Sequence, residues 1–131
     1  MDQVSPQLRD PELLCPCVKA RYIALREELW DTAGIHITLV ETLRTPERQA
    51  MYLRKGVSWT RKSKHLPQPP NGLSLAADIC PTEYLTMKGW FEAGPHWGML
   101  GEVARSVGLL WGGRWTRRVD RPHVYLEACA D

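Results

Sequence analysis

Four residues, His65, Asp78, Asp120 and His123, are of the types that hold a divalent cation or move a proton. Hydrolytic zinc usually takes three ligands from histidine, aspartate or glutamate and leaves a fourth position for water. The chain has four histidines, and two of them stand in ordinary settings. His36 falls within a strand-like stretch and His96 at a helix start, so packing and capping account for them. His65 lies in an irregular basic loop shortly before a strand that contains Asp78. His123 opens the last strand, in Asp120-Arg121-Pro122-His123, where proline fixes the backbone and removes a donor. An aspartate three residues ahead of a ligand histidine can reach water at a metal without binding the metal itself. Spacing alone leaves the set undecided, because His, Asp and His combine readily by chance in 131 residues.

The elements that must position these groups follow from the apolar pattern. Asp10 to Thr32 reads as helix, with Leu13, Leu14, Cys17, Ile23, Leu25, Leu29 and Trp30 approximating a stripe. Pro16 marks where its regular part begins, and Gly34 is a stop signal. Ile35 to Leu43 is rich in β-branched residues and predicts a strand. Thr45-Pro46-Glu47 then caps a second helix, which runs to about Lys55 and ends at Gly56. From Val57 to Gly72 no periodicity is visible, and Pro67, Pro69 and Pro70 break regular structure. A loop of that length is more often functional than not. Leu73 to Cys80 predicts a short buried strand, Pro95 to Val107 a helix, Leu109 to Trp115 a bend, and His123 to Glu127 a last strand. The expected class is α+β, helices around a small antiparallel sheet in a single domain.

The totals agree with a globular fold: 44% hydrophobic and 24% charged residues, with six tryptophans. Of these, Trp30, Trp90 and Trp97 are expected in the core, whereas Trp111 and Trp115 are placed to wall a cleft. No apolar run long enough for a membrane-spanning helix exists, and the first residues have neither a basic start nor an apolar stretch behind it. Synthesis and folding in a cytosol are therefore expected, and Cys15, Cys17, Cys80 and Cys129 are expected to be reduced, small apolar side chains. Cys80 shares a strand face with Asp78 but is assigned a buried role. Net charge is +2, but its distribution is uneven. Arg48 to Ala77 contains several arginines and lysines and no acidic residue, and Arg114, Arg117, Arg118 and Arg121 form a second basic group. Both read either as solvated surface or as attraction to an anionic polymer.

Several separated segments together carry a resemblance. Ser63-Lys64-His65 followed by Ala76-Ala77-Asp78 resembles the Ser-x-His and Ala-x-Asp signature of the M15 peptidases. Asp120-Arg121-Pro122-His123 is similar to that family's Asp-x-Pro-His, and Trp111-Gly112-Gly113-Arg114-Trp115 to its Trp-Gly-Gly-Asp-Trp bend. Leu43 to Gln49 resembles its arginine-containing turn and helix start. The likeness runs in order from about Thr38 to Glu127. It departs in two places. Leu66 to Gly72 lengthens the step from His65 to Asp78, which puts the shape of the cleft in question, and Arg114 replaces an acidic residue.

The resemblance implies Zn²⁺ held by His65, Asp78 and His123, with Asp120 as general base and Arg44 facing the substrate. Ser63, Trp111 and Trp115 are further candidate substrate contacts. Zinc lowers the pKa of water toward 7, so a carboxylate beside it can accept a proton at neutral pH. The implied substrate is the stem peptide of peptidoglycan, cut at the L-alanyl-D-glutamate bond as by phage endolysins, with the protein a monomer released to the wall of a Gram-negative host at lysis. A D-alanyl-D-alanine carboxypeptidase or dipeptidase is the nearest alternative. A basic nucleic-acid-binding module and a non-catalytic wall-binding relative are more remote, the first because it leaves the histidines and aspartates unexplained.

Overall fold

The computed structural model describes residues 7–58, 60, 62–91 and 94–129. It contains three helices, α1 (Pro16–Ala33), α2 (Pro46–Arg54) and α3 (Pro95–Ser106), and four strands, β1 (Ile37–Glu41), β2 (Ala76–Pro81), β3 (Leu110–Trp111) and β4 (His123–Tyr125). The strands form one antiparallel sheet in the order β1-β2-β4-β3. The expected α+β class is the one observed.

Local signals set most boundaries. Pro16 occupies the first turn of α1, and Gly34 ends it in the left-handed conformation at φ 65°, which glycine adopts without a Cβ penalty. Before it, Pro11–Leu13 is a separate 3-10 turn, capped by the Asp10 side chain, so the regular helix begins at Pro16 as expected and the helical segment from Asp10 is in two pieces. The Thr45 side chain accepts from the Arg48 N–H at the head of α2, with Pro46 behind it. The strands are shorter at their ends than expected, and the bend at Leu109–Trp115 includes β3 and a 3-10 turn.

α1 and α3 cover one face of the sheet. Val18, Leu25 and Leu29 of α1 and Trp97 and Leu100 of α3 pack there with Ala77, Ile79 and Val124, all essentially inaccessible. Trp30 departs from its expected core position: it is 51% exposed and stacks on His36 at 4.1 Å. Trp90 is partly buried against the core.

The opposite face carries the chemistry. Asp78 pairs with His123 across β2–β4 and with Glu41 across β1–β2. Directly opposed residues share a face, so these three form one row across the sheet. A register irregularity between Leu39 and Glu41 makes this possible. Regular pairing from Leu39↔Ile79 would set Glu41 against Ala77, and the added residue moves it to Asp78.

The cysteines correct an expectation. Cys17 and Cys129 form a disulfide with Cα atoms 5.9 Å apart, while Cys15 and Cys80 are free and buried. The tail after β4 returns to the first turn of α1, a juxtaposition with no signature in the spacing of the cysteines. The crosslink spans 112 positions. Cys17→Ser is expected to lower the unfolding free energy by about 2–4 kcal/mol, measured by urea denaturation with and without reductant. Equal stability of parent and variant under oxidising conditions would show that the bond contributes nothing.

Candidate metal and catalytic site

His65, Asp78 and His123 converge although they come from a loop and two strands: each offers a ligand atom, all within 4.8 Å of one another. His65 Nε2 lies 3.0 Å and His123 Nδ1 3.3 Å from Asp78 Oδ1. Ligands about 2.1 Å from one ion at tetrahedral angles stand roughly 3.4 Å apart, so the spacing suits zinc.

The protonation pattern supports the same reading. His65 Nδ1 lies 2.7 Å from the Thr42 carbonyl, which can only accept, so Nδ1 carries hydrogen and Nε2 turns its lone pair toward Asp78. Burial favours the neutral ring, but the Asp78 carboxylate outweighs it and raises the His65 pKa. Burial likewise opposes ionisation of Asp78, but His65 and His123 hold its carboxyl well below the usual range. The carboxylate and the two rings can thus share one positive charge, and a divalent ion is one group that could supply it.

Backbone geometry fixes each ligand. The Arg44 N–H donates to the His65 carbonyl at 2.8 Å, and the Ser63 hydroxyl accepts the His65 N–H at 3.1 Å. Ser63 lines the cleft, yet part of its bonding capacity is committed to holding this loop. Ile79 N–H donates to the Pro122 carbonyl, tying the proline before His123 to the strand of Asp78.

Asp120 stands on the same cleft wall, its N–H donating to the Gly112 carbonyl at 3.0 Å. Burial, and after it the Asp78 charge, pushes its carboxyl up to about 6. The Trp-Gly-Gly bend explains how this segment is seated. A Cβ on Gly112 would come within 2.5 Å of the Asp120 carbonyl and 3.1 Å of His123 Cβ. Only a glycine lets the bend approach this closely.

Trp111 corrects an expectation, for it does not wall the cleft. Its indole lies over Gly101 of α3 and Gly113, where added Cβ atoms would meet the ring at 2.2 and 2.1 Å. Its Nε1–H donates to the Arg121 carbonyl at 2.7 Å, so it braces the Asp120–His123 segment from behind. Trp115 does line the cleft, with its ring 5.2 Å from that of His123 and its Nε1–H donating to the Tyr125 hydroxyl.

Arg44 also lines the cleft, but most of its donors are engaged. Nε and Nη2 donate to Glu41 at 3.2 and 2.8 Å, Nη1 donates to Gln49 at 2.7 Å, and the guanidinium lies 4.5 Å over the Tyr52 ring. Nη2 is 3.5 Å from Asp78 Oδ2. Glu41, only 1% exposed, also binds Arg48 Nε and is one of two residues that the sequence did not single out. Its signal was a carboxylate closing a buried strand just ahead of Arg44 and Arg48. Thr42 was missed too, and acts through its backbone carbonyl, which no residue type announces.

The remaining candidates fall elsewhere. His36 stacks on Trp30, and His96 contacts Glu83 and stacks on Tyr84. Cys80 is fully buried, which pushes its thiol up to about 11, and it is outside the ligand cluster. The added residues Leu66 to Gly72 do not line the site cleft of about 1110 Å³, which Val57, Ser58, Thr60 and Lys62 to His65 of the same loop do; Gln68 to Asn71 instead line a separate hollow of about 330 Å³ with Cys15 and Cys129.

Residues 56–126, more than half of the chain, match the family described as D-alanyl-D-alanine carboxypeptidase, a group of M15 peptidases. The chain belongs to the M15 peptidases. Over 97 residues this M15 chain is 31% identical to an L-alanyl-D-glutamate peptidase of Listeria phage A118, covering 74% of this chain and 32% of the phage protein. It thus spans about a third of that relative's length. Its fold is similar to that of the Serratia marcescens L-Ala D-Glu endopeptidase ChiX, with a TM-score of 0.64 at 21% identity, over 88% of this chain and 82% of the other.

Gly112→Ala is expected to weaken zinc binding roughly 10- to 100-fold, as loss of support around a ligand does. Competition with a chromophoric chelator measures it, and parental affinity in the variant would show that the bend yields freely.

Proposed function

We propose that the protein is a zinc-dependent peptidase of bacterial peptidoglycan that hydrolyses the L-alanyl-D-glutamate bond of the stem peptide, in the manner of a phage endolysin. The observation that carries this is the convergence of His65, Asp78 and His123 on the floor of a cleft beside Asp120. The phage and Serratia relatives, both named for the same bond, support the choice of substrate.

Bound there, Zn²⁺ supplies Lewis acidity toward the scissile carbonyl and lowers the pKa of the attacking water. Asp120, whose carboxyl is raised toward neutrality, takes the proton of the attacking water and returns it to the departing amine. Arg44, fixed by Glu41 and Gln49, brings a preorganised positive charge to the wall where the carbonyl oxygen gains negative charge. His65 is locked in one tautomer by Thr42 and needs no reorganisation to ligate. Trp115 gives the bound peptide an aromatic wall. The protein acts as a monomer on the cell wall.

The description of the matching family favours one second reading, cleavage of D-alanyl-D-alanine by the same groups. Digestion of purified peptidoglycan, followed by mass spectrometry of the new termini, separates the two. A new D-glutamate amine is expected, and released D-alanine would replace the proposed bond with the second one. Asp120→Ala is expected to keep the fold and the metal while losing about 10²–10⁴-fold in rate. His123→Ala should lose the metal as well, and a chelator should stop hydrolysis by the parent. Full activity of Asp120→Ala would overturn the role given to it.

A further inference from the structure

The two basic segments, far apart in sequence, meet over one cleft. Lys62 and Lys64 line it from the loop before His65, and Arg117, Arg118 and Arg121 line it from the strap between the Trp-Gly-Gly bend and β4. The carboxylates of the same cleft do not neutralise them. Glu41 is engaged by Arg44 and Arg48, and Asp78 lies between the two imidazoles. Lys64 has Glu127 at 3.8 Å. Among the described residues, Lys62, Arg117, Arg118 and Arg121 have no carboxylate partner. Arg118 adopts φ 50°, a left-handed conformation that a long side chain rarely takes, within this solvent-exposed strap.

We infer that this strap, with Lys62 of the same cleft, is a carboxylate-reading subsite: it selects peptides whose leaving-side residue bears a free α-carboxylate over those in which that group is a carboxamide. The inference rests on the proposed peptidase reading for its substrate. A glutamyl residue on the leaving side carries a carboxylate only a few bonds from the scissile nitrogen, while Asp120 lies within the strap and His123 directly follows it in the chain. A group reacting at the metal cluster therefore presents its carboxylate to the adjoining arginines. Guanidinium binds a carboxylate through paired N–H donors, and a carboxamide offers one acceptor and no charge. The cations are solvent-exposed for the most part, so selectivity is moderate and falls with salt.

Calorimetric titration of the zinc-loaded protein with N-acetyl-L-alanyl-D-glutamate and with its α-carboxamide tests this. The carboxylate peptide is expected to bind about tenfold more tightly at low salt. The advantage should shrink at high salt and vanish in Arg117→Gln/Arg118→Gln, whose melting temperature should match the parent's. Should that variant unfold, Lys62→Gln in the same cleft carries the same comparison and should narrow the difference. Equal binding of the two peptides by the parent overturns the inference, as does an advantage that survives in the variants. So does a short single-stranded oligonucleotide that binds more tightly than the carboxylate peptide, because the rim then reads phosphate. If neither peptide is hydrolysed while the binding difference stands, the peptidase reading fails and the subsite does not.

Discussion

A carboxylate oxygen and two imidazole nitrogens face one another at 3.0 and 3.3 Å on the floor of the cleft. With His65 Nδ1 committed to the Thr42 carbonyl, the neutral ring turns its Nε2 lone pair on the Asp78 carboxylate, and that pair is repulsive unless a positive charge lies between them. Much of the remaining structure bears on that demand. The strand register sets Asp78 opposite His123, and the loop before β2 is held to the end of β1 so that His65 reaches the same point.

Around this centre the protein builds support in layers. Glu41 holds two arginines in a nearly dry setting, where an uncompensated charge would be costly, and Arg44 in turn approaches Asp78. Behind Asp120 and His123, two glycines clasp the Trp111 indole and a third lets the bend come within contact of the Asp120–His123 segment. The aromatic and glycine residues of the bend thus act by placing a neighbouring segment, and Trp115 alone of its two tryptophans faces the cleft.

That His65, Asp78 and His123 come together beside Asp120 was legible in the sequence because these side-chain types stand within ordered local patterns. Helix boundaries were legible for a similar reason: Pro16, Gly34 and the Thr45-Pro46 cap act on the backbone beside them. What escaped depends on long-range placement. The Cys17–Cys129 bond joins residues brought together only when the tail packs on α1. Trp30 fits the apolar stripe by spacing but projects beyond the layer that α1 covers. The proline loop, inserted between two ligands, diverges from the cleft toward the first turn of α1 because Ser74 bridges to Leu13 and Cys15 through the backbone.

The row of Glu41, Asp78 and His123 across three strands has a consequence for how the molecule matures. A slip of one residue in β2 would turn Asp78 toward the helices and present an alanine or isoleucine in its place. Only a correctly aligned sheet brings the donor atoms of Asp78 and His123 together with that of His65, so a divalent ion bound there would favour the correct strand alignment. An ion held by those three residues would in turn tie the loop and the two strands together in that arrangement.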